Sequence, residues 1–116
     1  MSNYRHGADL EREAKRVLEE NGYYVIRSAG SKGTVDLAAF KADEWLMVQC
    51  KLDGYLSPAE RVRLRQLAAK LRAVPLAASW VKEGRAARTV GFAELTSMGP
   101  AGNRPWTPDH GLETVQ

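Results

Sequence analysis

The sequence predicts a single α/β domain in which a mixed sheet of five strands lies between helices. Three observations carry that expectation. Helical and strand-like periodicities follow one another in the order helix, three strands, helix, two strands. The apolar runs at 35–40 and 45–51 flank the polar stretch Lys41-Ala42-Asp43-Glu44, so they fold back on each other as a hairpin. Ser57-Pro58-Ala59-Glu60 supplies an N-cap serine, a first-turn proline and a capping-box glutamate, which start a helix at a defined residue. A chain of 116 residues suffices for one core and is too short for two.

After a short lead at 1–4, residues 5–21 place Leu10, Ala14, Val17 and Leu18 on one helical stripe, and Asn21-Gly22 stops the helix. Glu11 and Glu13 fall on opposite borders of that stripe, and the pattern does not choose between them as the carboxylate of a site at the core's edge. Residues 23–28 read as a strand. Residues 29–34, with Gly30 and Gly33, form a flexible loop into Asp36; Ser28, Ser31 and Lys32 there suit a phosphate as well as they suit a plain connector. In the second helix Leu64, Leu67, Ala68 and Leu71 mark the buried face. Arg61, Arg63, Arg65, Lys70 and Arg72 crowd its flanks, as a solvated face or as contacts to a phosphate backbone. Residues 74–82 are a nearly continuous apolar strand, Glu83-Gly84 turns the chain, and 87–92 returns as its partner, with a helical turn expected at 92–96. The strand at 74–81 and the helix at 58–73 are the expected subunit contact, because one small domain has difficulty covering both faces of such a strand. The folded domain is expected to span 1–96. Residues 97–116, with three prolines and three glycines, read as an extended or partly disordered tail in which Trp106 docks on the body, docks on a partner or packs loosely.

Seventeen Lys and Arg against fourteen Asp and Glu give a net charge of +3, which permits a polyanionic partner without requiring one. The single cysteine excludes an internal disulfide framework and a cysteine-rich zinc site, and it suits a reducing compartment. No stretch has the apolar core of a signal peptide or the length of a membrane span, so the expected location is cytoplasmic.

The chemistry concentrates in the hairpin. Pairing of its strands brings Asp36 to the same end as Gln49 and Lys51, and alternation points Gln49 and Lys51 to one face and Cys50 to the other. An acid, an amide oxygen and an ammonium together fit a hard divalent cation with a lysine beside it to orient or deprotonate a water. On these two strands alone, a hairpin whose polar residues mark its solvated end remains equally open.

Several motifs agree in spacing and order. They are Arg5-His6-Gly7-Ala8-Asp9-Leu10-Glu11-Arg12, Asn21-Gly22-Tyr23, Val25-Ile26-Arg27-Ser28-Ala29-Gly30-Ser31-Lys32, Val35-Asp36-Leu37 and Val48-Gln49-Cys50-Lys51. Together they closely resemble the archaeal Holliday-junction resolvases of the PD-(D/E)XK nuclease superfamily, over residues 5–95. The resemblance implies a restriction-endonuclease-like domain that cuts four-way DNA junctions as a two-fold homodimer with Mg²⁺, for which Mn²⁺ would substitute. It selects Glu11 over Glu13 as the helix-borne acid and makes Asp36 the central metal carboxylate and Lys51 the catalytic lysine. Gln49 and the Cys50 backbone carbonyl would complete the metal ligands, with Glu11 acting through water. Arg12 and Arg27 fall where the family places basic residues close to the DNA, and 28–32 matches its catalytic loop; Arg5, Ser28, Ser31, Lys32, Arg61 and Arg65 are the further DNA-contact candidates. One position departs from the family: its usual acid two residues before the lysine is Gln49, an oxygen donor without charge. Two other functions share these residues: a nuclease of the same superfamily acting on ends, flaps or foreign DNA, and a catalytically silent DNA-binding module.

Overall fold

Leu10, Ala14 and Leu18 recur every fourth residue, and all three are fully buried on one side of α1 (Ser2–Glu20). The computed structural model of the protein describes residues 2–28, 34–83, 87–96 and 102–109, the side chains of 2–6, 83 and 87 excepted. The helix starts at Ser2 with no separate lead, since Ser2, Asn3 and Tyr4 include no helix breaker. It stops where Asn21 Nδ2 donates back to the Val17 carbonyl at 2.8 Å and Gly22 adopts a φ of +94°, which only glycine takes up without strain.

The chain continues through β1 (Tyr24–Arg27), β2 (Leu37–Lys41), β3 (Glu44–Cys50), α2 (Pro58–Leu71), β4 (Val74–Glu83), β5 (Ala87–Leu95) and β6 (Asn103–Trp106). The strands form one sheet in chain order, antiparallel at every junction except β3 and β4, which run parallel and are joined through α2. Period-two alternation splits the core into two layers. Under α1 lie Leu37, Ala39, Leu46, Val48, Leu76 and Ala78, and under α2 lie Met47, Leu56, Ala77 and Leu95. Each fully buried leucine in these layers contributes about 1.5–3 kcal/mol.

Several features depart from the sequence expectation. The sheet has six strands rather than five. β5 runs on to Leu95 in place of a helical turn at 92–96, because Glu94 pairs with Leu76 on one side and Leu95 with Asn103 on the other. The sixth strand comes from the segment read as a tail: Trp106 is buried, with its ring 5.6 Å from Phe92 and 6.3 Å from Tyr23, and Pro105 lies opposite Ala93. On α2, Leu71 is exposed and Arg61 occupies the buried face beside Leu64 and Ala68. β4, the strand that the sequence offered as a subunit contact, is an interior strand with Leu76, Ala77 and Ala78 buried and Val81 exposed. Among the described residues no helix is long and apolar enough to cross a membrane.

Candidate functional site

The hairpin register decides what meets at the open end of the sheet. Leu37 pairs with Val48, so Asp36 lies beside Gln49, and alternation sends both side chains to the face that carries α2. Backbone bonds clamp Asp36 between its neighbours: its N–H donates to the Val48 carbonyl at 2.8 Å, and its own carbonyl accepts from the Ser28 N–H at 2.9 Å. The Cys50 N–H donates to Asp36 Oδ2 at 2.8 Å, which fixes the carboxylate as well. Lys51 leaves β3 with its N–H on the Ala78 carbonyl at 2.9 Å and its carbonyl on the Gly54 N–H at 3.0 Å. Gly54 permits that turn with a φ of +79°, and a Cβ there would stand 3.2 Å from Ser79 Oγ.

The second helix reaches the same place through its cap. Ser57 Oγ accepts from the Glu60 N–H and Glu60 Oε1 accepts from the Ser57 N–H, the capping box expected from the sequence. Glu60 Oε2 then lies 2.7 Å from Lys51 Nζ. From the other layer, Glu11 Oε1 accepts from Arg27 Nε at 3.0 Å. Glu13 instead pairs with Arg16 inside α1, so the structure separates the two glutamates that helical periodicity left equivalent.

Asp36 and Gln49 are each only 9% exposed. Burial raises the Asp36 pKa; the Cys50 N–H and Lys51 oppose that rise, and the charges of Glu11 and Glu60 add to it. Glu60 moves the other way, chiefly through its bond to Lys51. Burial, with the nearby Asp36 and Glu11 charges, pushes the Cys50 thiol well up, so it is a poor nucleophile. Gln49 Oε1 is buried with no hydrogen-bond partner, an arrangement that costs about 1–3 kcal/mol in a folded protein. An orphaned amide oxygen beside a fixed carboxylate is a donor set for a hard cation, with the Cys50 carbonyl one peptide away. Among the described residues no three His, Cys, Asp or Glu side chains gather for a metal, so the fit rests on Asp36 and Gln49 together.

The expected DNA contacts divide. Arg12 is exposed and pairs with Asp9, Arg27 is exposed and pairs with Glu11, and Ser28 is bonded through its backbone to Asp36. Ser31, Lys32 and the side chain of Arg5 lie outside the described residues. Arg61 is only 2% exposed and donates to Asn103 Oδ1 at 2.9 Å and to the Gly102 carbonyl at 3.2 Å, so it is a packing residue rather than a surface cation. Arg65 reaches the Thr96 carbonyl at 3.5 Å. The signal for Arg61 was its place one turn before Leu64 and two before Ala68, on the apolar stripe itself. The contact of Glu60 with Lys51 was missed because a capping box uses one carboxylate oxygen and says nothing of the second.

Residues 2–97 match the model of the archaeal Holliday junction resolvase (Hjc) family. A stretch of 48 residues is 58% identical to the crossover junction endodeoxyribonuclease Hjc of Methanocaldococcus jannaschii; it covers 41% of this chain and 35% of that relative, about a third of its length. Among solved structures, that of Archaeoglobus fulgidus Hjc, a Holliday junction resolvase from an archaeal hyperthermophile, is similar with a TM-score of 0.64 and 23% identity, over 94% of this chain and 93% of that one. At that identity the likeness is one of fold.

Proposed function

Because the chain belongs to the archaeal Holliday junction resolvase family, we propose that it is a divalent-metal-dependent endodeoxyribonuclease that resolves four-way DNA junctions by paired phosphodiester hydrolysis. The observation that supports this most is the buried pair of Asp36, fixed by the Cys50 N–H, and Gln49, whose oxygen has no partner, with Lys51 next along the same face. Mg²⁺, with Mn²⁺ as a substitute, supplies Lewis acidity toward the scissile phosphate when bound. Asp36, Gln49 Oε1 and the Cys50 carbonyl are its ligands in this reading, with Glu11 acting through water. The Lys51 ammonium orients the attacking water and offsets the charge that develops on the phosphorane-like transition state. Arg12, Arg27, Ser28, Ser31 and Lys32 contact the phosphate backbone, which sets affinity without reading bases. Such an enzyme works inside the cell, where its DNA is.

Symmetric cutting calls for a two-fold homodimer. The surface that favours one lies on the α2 side of β1 to β3, where Tyr24 pairs with Phe40 and Phe40 with Trp45, in a lateral row that α2 leaves uncovered. Tyr24 is 71% exposed, and Ile26, Trp45 and Leu71 are exposed as well. Sedimentation at micromolar concentration should therefore give a dimer that Trp45→Glu dissociates.

The decisive assay is Mg²⁺-dependent cleavage of a synthetic four-way junction beside matched linear and flapped DNAs. Asp36→Asn and Lys51→Ala should each abolish cutting and leave junction binding in Ca²⁺ nearly intact. Equal loss of binding and cutting would make these residues part of the DNA surface or the scaffold, and preference for linear or flapped DNA would move the substrate. Gln49→Glu adds a charge beside the cation and should lower the Mg²⁺ requirement, whereas Gln49→Leu should raise it or stop turnover.

A further inference from the structure

We propose that Glu60 is the positioning residue for Lys51, and that it supplies from a helix cap the negative charge that position 49 lacks. The inference rests on the nuclease reading for the role of Lys51; the contact itself stands on geometry. Each oxygen of the Glu60 carboxylate has its own donor: Oε1 is fixed by the Ser57 backbone N–H at 2.8 Å, and Oε2 meets Lys51 Nζ at 2.7 Å. The first bond removes the rotational freedom of the carboxylate, so the second aims an ammonium on a flexible four-carbon stem. Both side chains are partly withdrawn from water, at 32% and 23% exposure, where an ion pair is screened less than at an open surface.

The composition of the neighbourhood shows why this partner matters. Residue 49 lies two positions before Lys51 on the same face of the chain, so a carboxylate there would bring negative charge close to the ammonium as well as to the cation site. Gln49 has no charge to offer, and its oxygen faces no donor. Glu11 is engaged by Arg27, and one oxygen of Asp36 is bonded to the Cys50 N–H. Glu60 is the carboxylate in contact with Lys51, and it belongs to the helix that joins β3, which bears Gln49 and Cys50, to its parallel neighbour β4. The start of α2 and the direction of Lys51 are thus set by one side chain. Glu60 touches no reacting atom, so its effect runs through Lys51.

Glu60→Gln separates this role from capping, because the amide oxygen can keep the Ser57 bond while the amide nitrogen cannot pair with an ammonium. Three measurements on the full chain decide: per-residue acetylation of Lys51 by an amine-reactive ester, read by mass spectrometry against exposed Lys70; single-turnover cutting of a four-way junction; and the melting temperature. Expected for Glu60→Gln are several-fold faster labelling of Lys51, cutting slower by about tenfold or more, and a melting temperature close to the parent's. Ser57→Ala should show the reverse, a lower melting temperature with labelling and cutting unchanged. In the Glu60→Gln background, Gln49→Glu should restore most of the cutting rate. Unchanged labelling in Glu60→Gln, or losses in Ser57→Ala that match it on both readouts, reduces Glu60 to a cap and overturns the proposal. Failure of Gln49→Glu to restore cutting overturns the charge replacement. A parent protein that cuts none of the DNAs defeats the nuclease reading instead, and the labelling ratio still decides whether Glu60 holds Lys51.

Discussion

Along α1, Arg12 reaches back to Asp9, Lys15 forward to Glu19, and Arg16 to both Glu13 and Glu20, so the described cations of that helix find acids on the helix itself. α2 has one acid, Glu60, against four cations, and its charged groups leave the helix: Glu60 for Lys51, Arg61 for Asn103 and Gly102, Arg65 for Thr96. Pairs one turn apart stabilise a helix locally and weakly, whereas the α2 contacts tie a helix to the site on one side and to β6 on the other. A self-neutralised helix can be a passive cover; one with unmatched charge is a fastener. The two helices still converge, since each points one carboxylate, Glu11 or Glu60, toward the surroundings of Asp36 from opposite layers.

Substitutions that test this contrast should differ widely in size. The largest stability effect is expected from Arg61→Ala, which removes a nearly buried side chain together with its bonds to Asn103 and the Gly102 carbonyl; about 3 kcal/mol should be lost by urea denaturation. A loss below about 1 kcal/mol would show that α2 and β6 are not coupled through this side chain.

A smaller effect of opposite sign is expected where the helices meet. Burial raises the Asp36 pKa in the folded state above its unfolded value, so its favourable contribution exists while it is protonated and disappears as pH rises through the folded pKa. At neutral pH its charge therefore opposes folding. Asp36→Asn, which can still accept from the Cys50 N–H, should melt a few degrees above the parent at pH 7, and the difference should shrink as pH falls through the carboxylate range. A variant that melts lower at pH 7 would mean that the ionised carboxylate holds the hairpin together. The smallest effect is expected on α1: Lys15→Ala should cost about 0.3–0.5 kcal/mol, and 1 M salt should erase the difference. A larger, salt-resistant loss there would end the distinction between the helices.

Much of this was legible in the chain because the signals were local. The start of α2 followed from Ser57, Pro58 and Glu60, whose bonds span three residues. The neighbourhood of Asp36 and Gln49 followed from a hairpin whose turn needs only Ala42 and Asp43. What failed depended on distant partners. β6 is four residues long and holds a proline, so no periodicity announces it, and Trp106 was its one apolar anchor. Arg61 reads as a surface cation until Asn103 and Gly102 are brought to it across more than forty positions. The second oxygen of Glu60 found Lys51 only once the turn through Gly54 had folded the chain back.

Pro105 bears on how copies of this molecule can add to one another. The Thr96 N–H donates to the Gly102 carbonyl, and the alternation of bonded and unbonded pairs along an antiparallel ladder then turns the Pro105 nitrogen away from β5. That outward row is where a strand from another chain would look for a donor, and at Pro105 it meets a ring with no hydrogen. Filaments that grow by edge-to-edge strand addition need two receptive edges on every unit. With β6 blunted, β1 is the edge left to receive a strand among the described residues, and growth by that route would end at a pair.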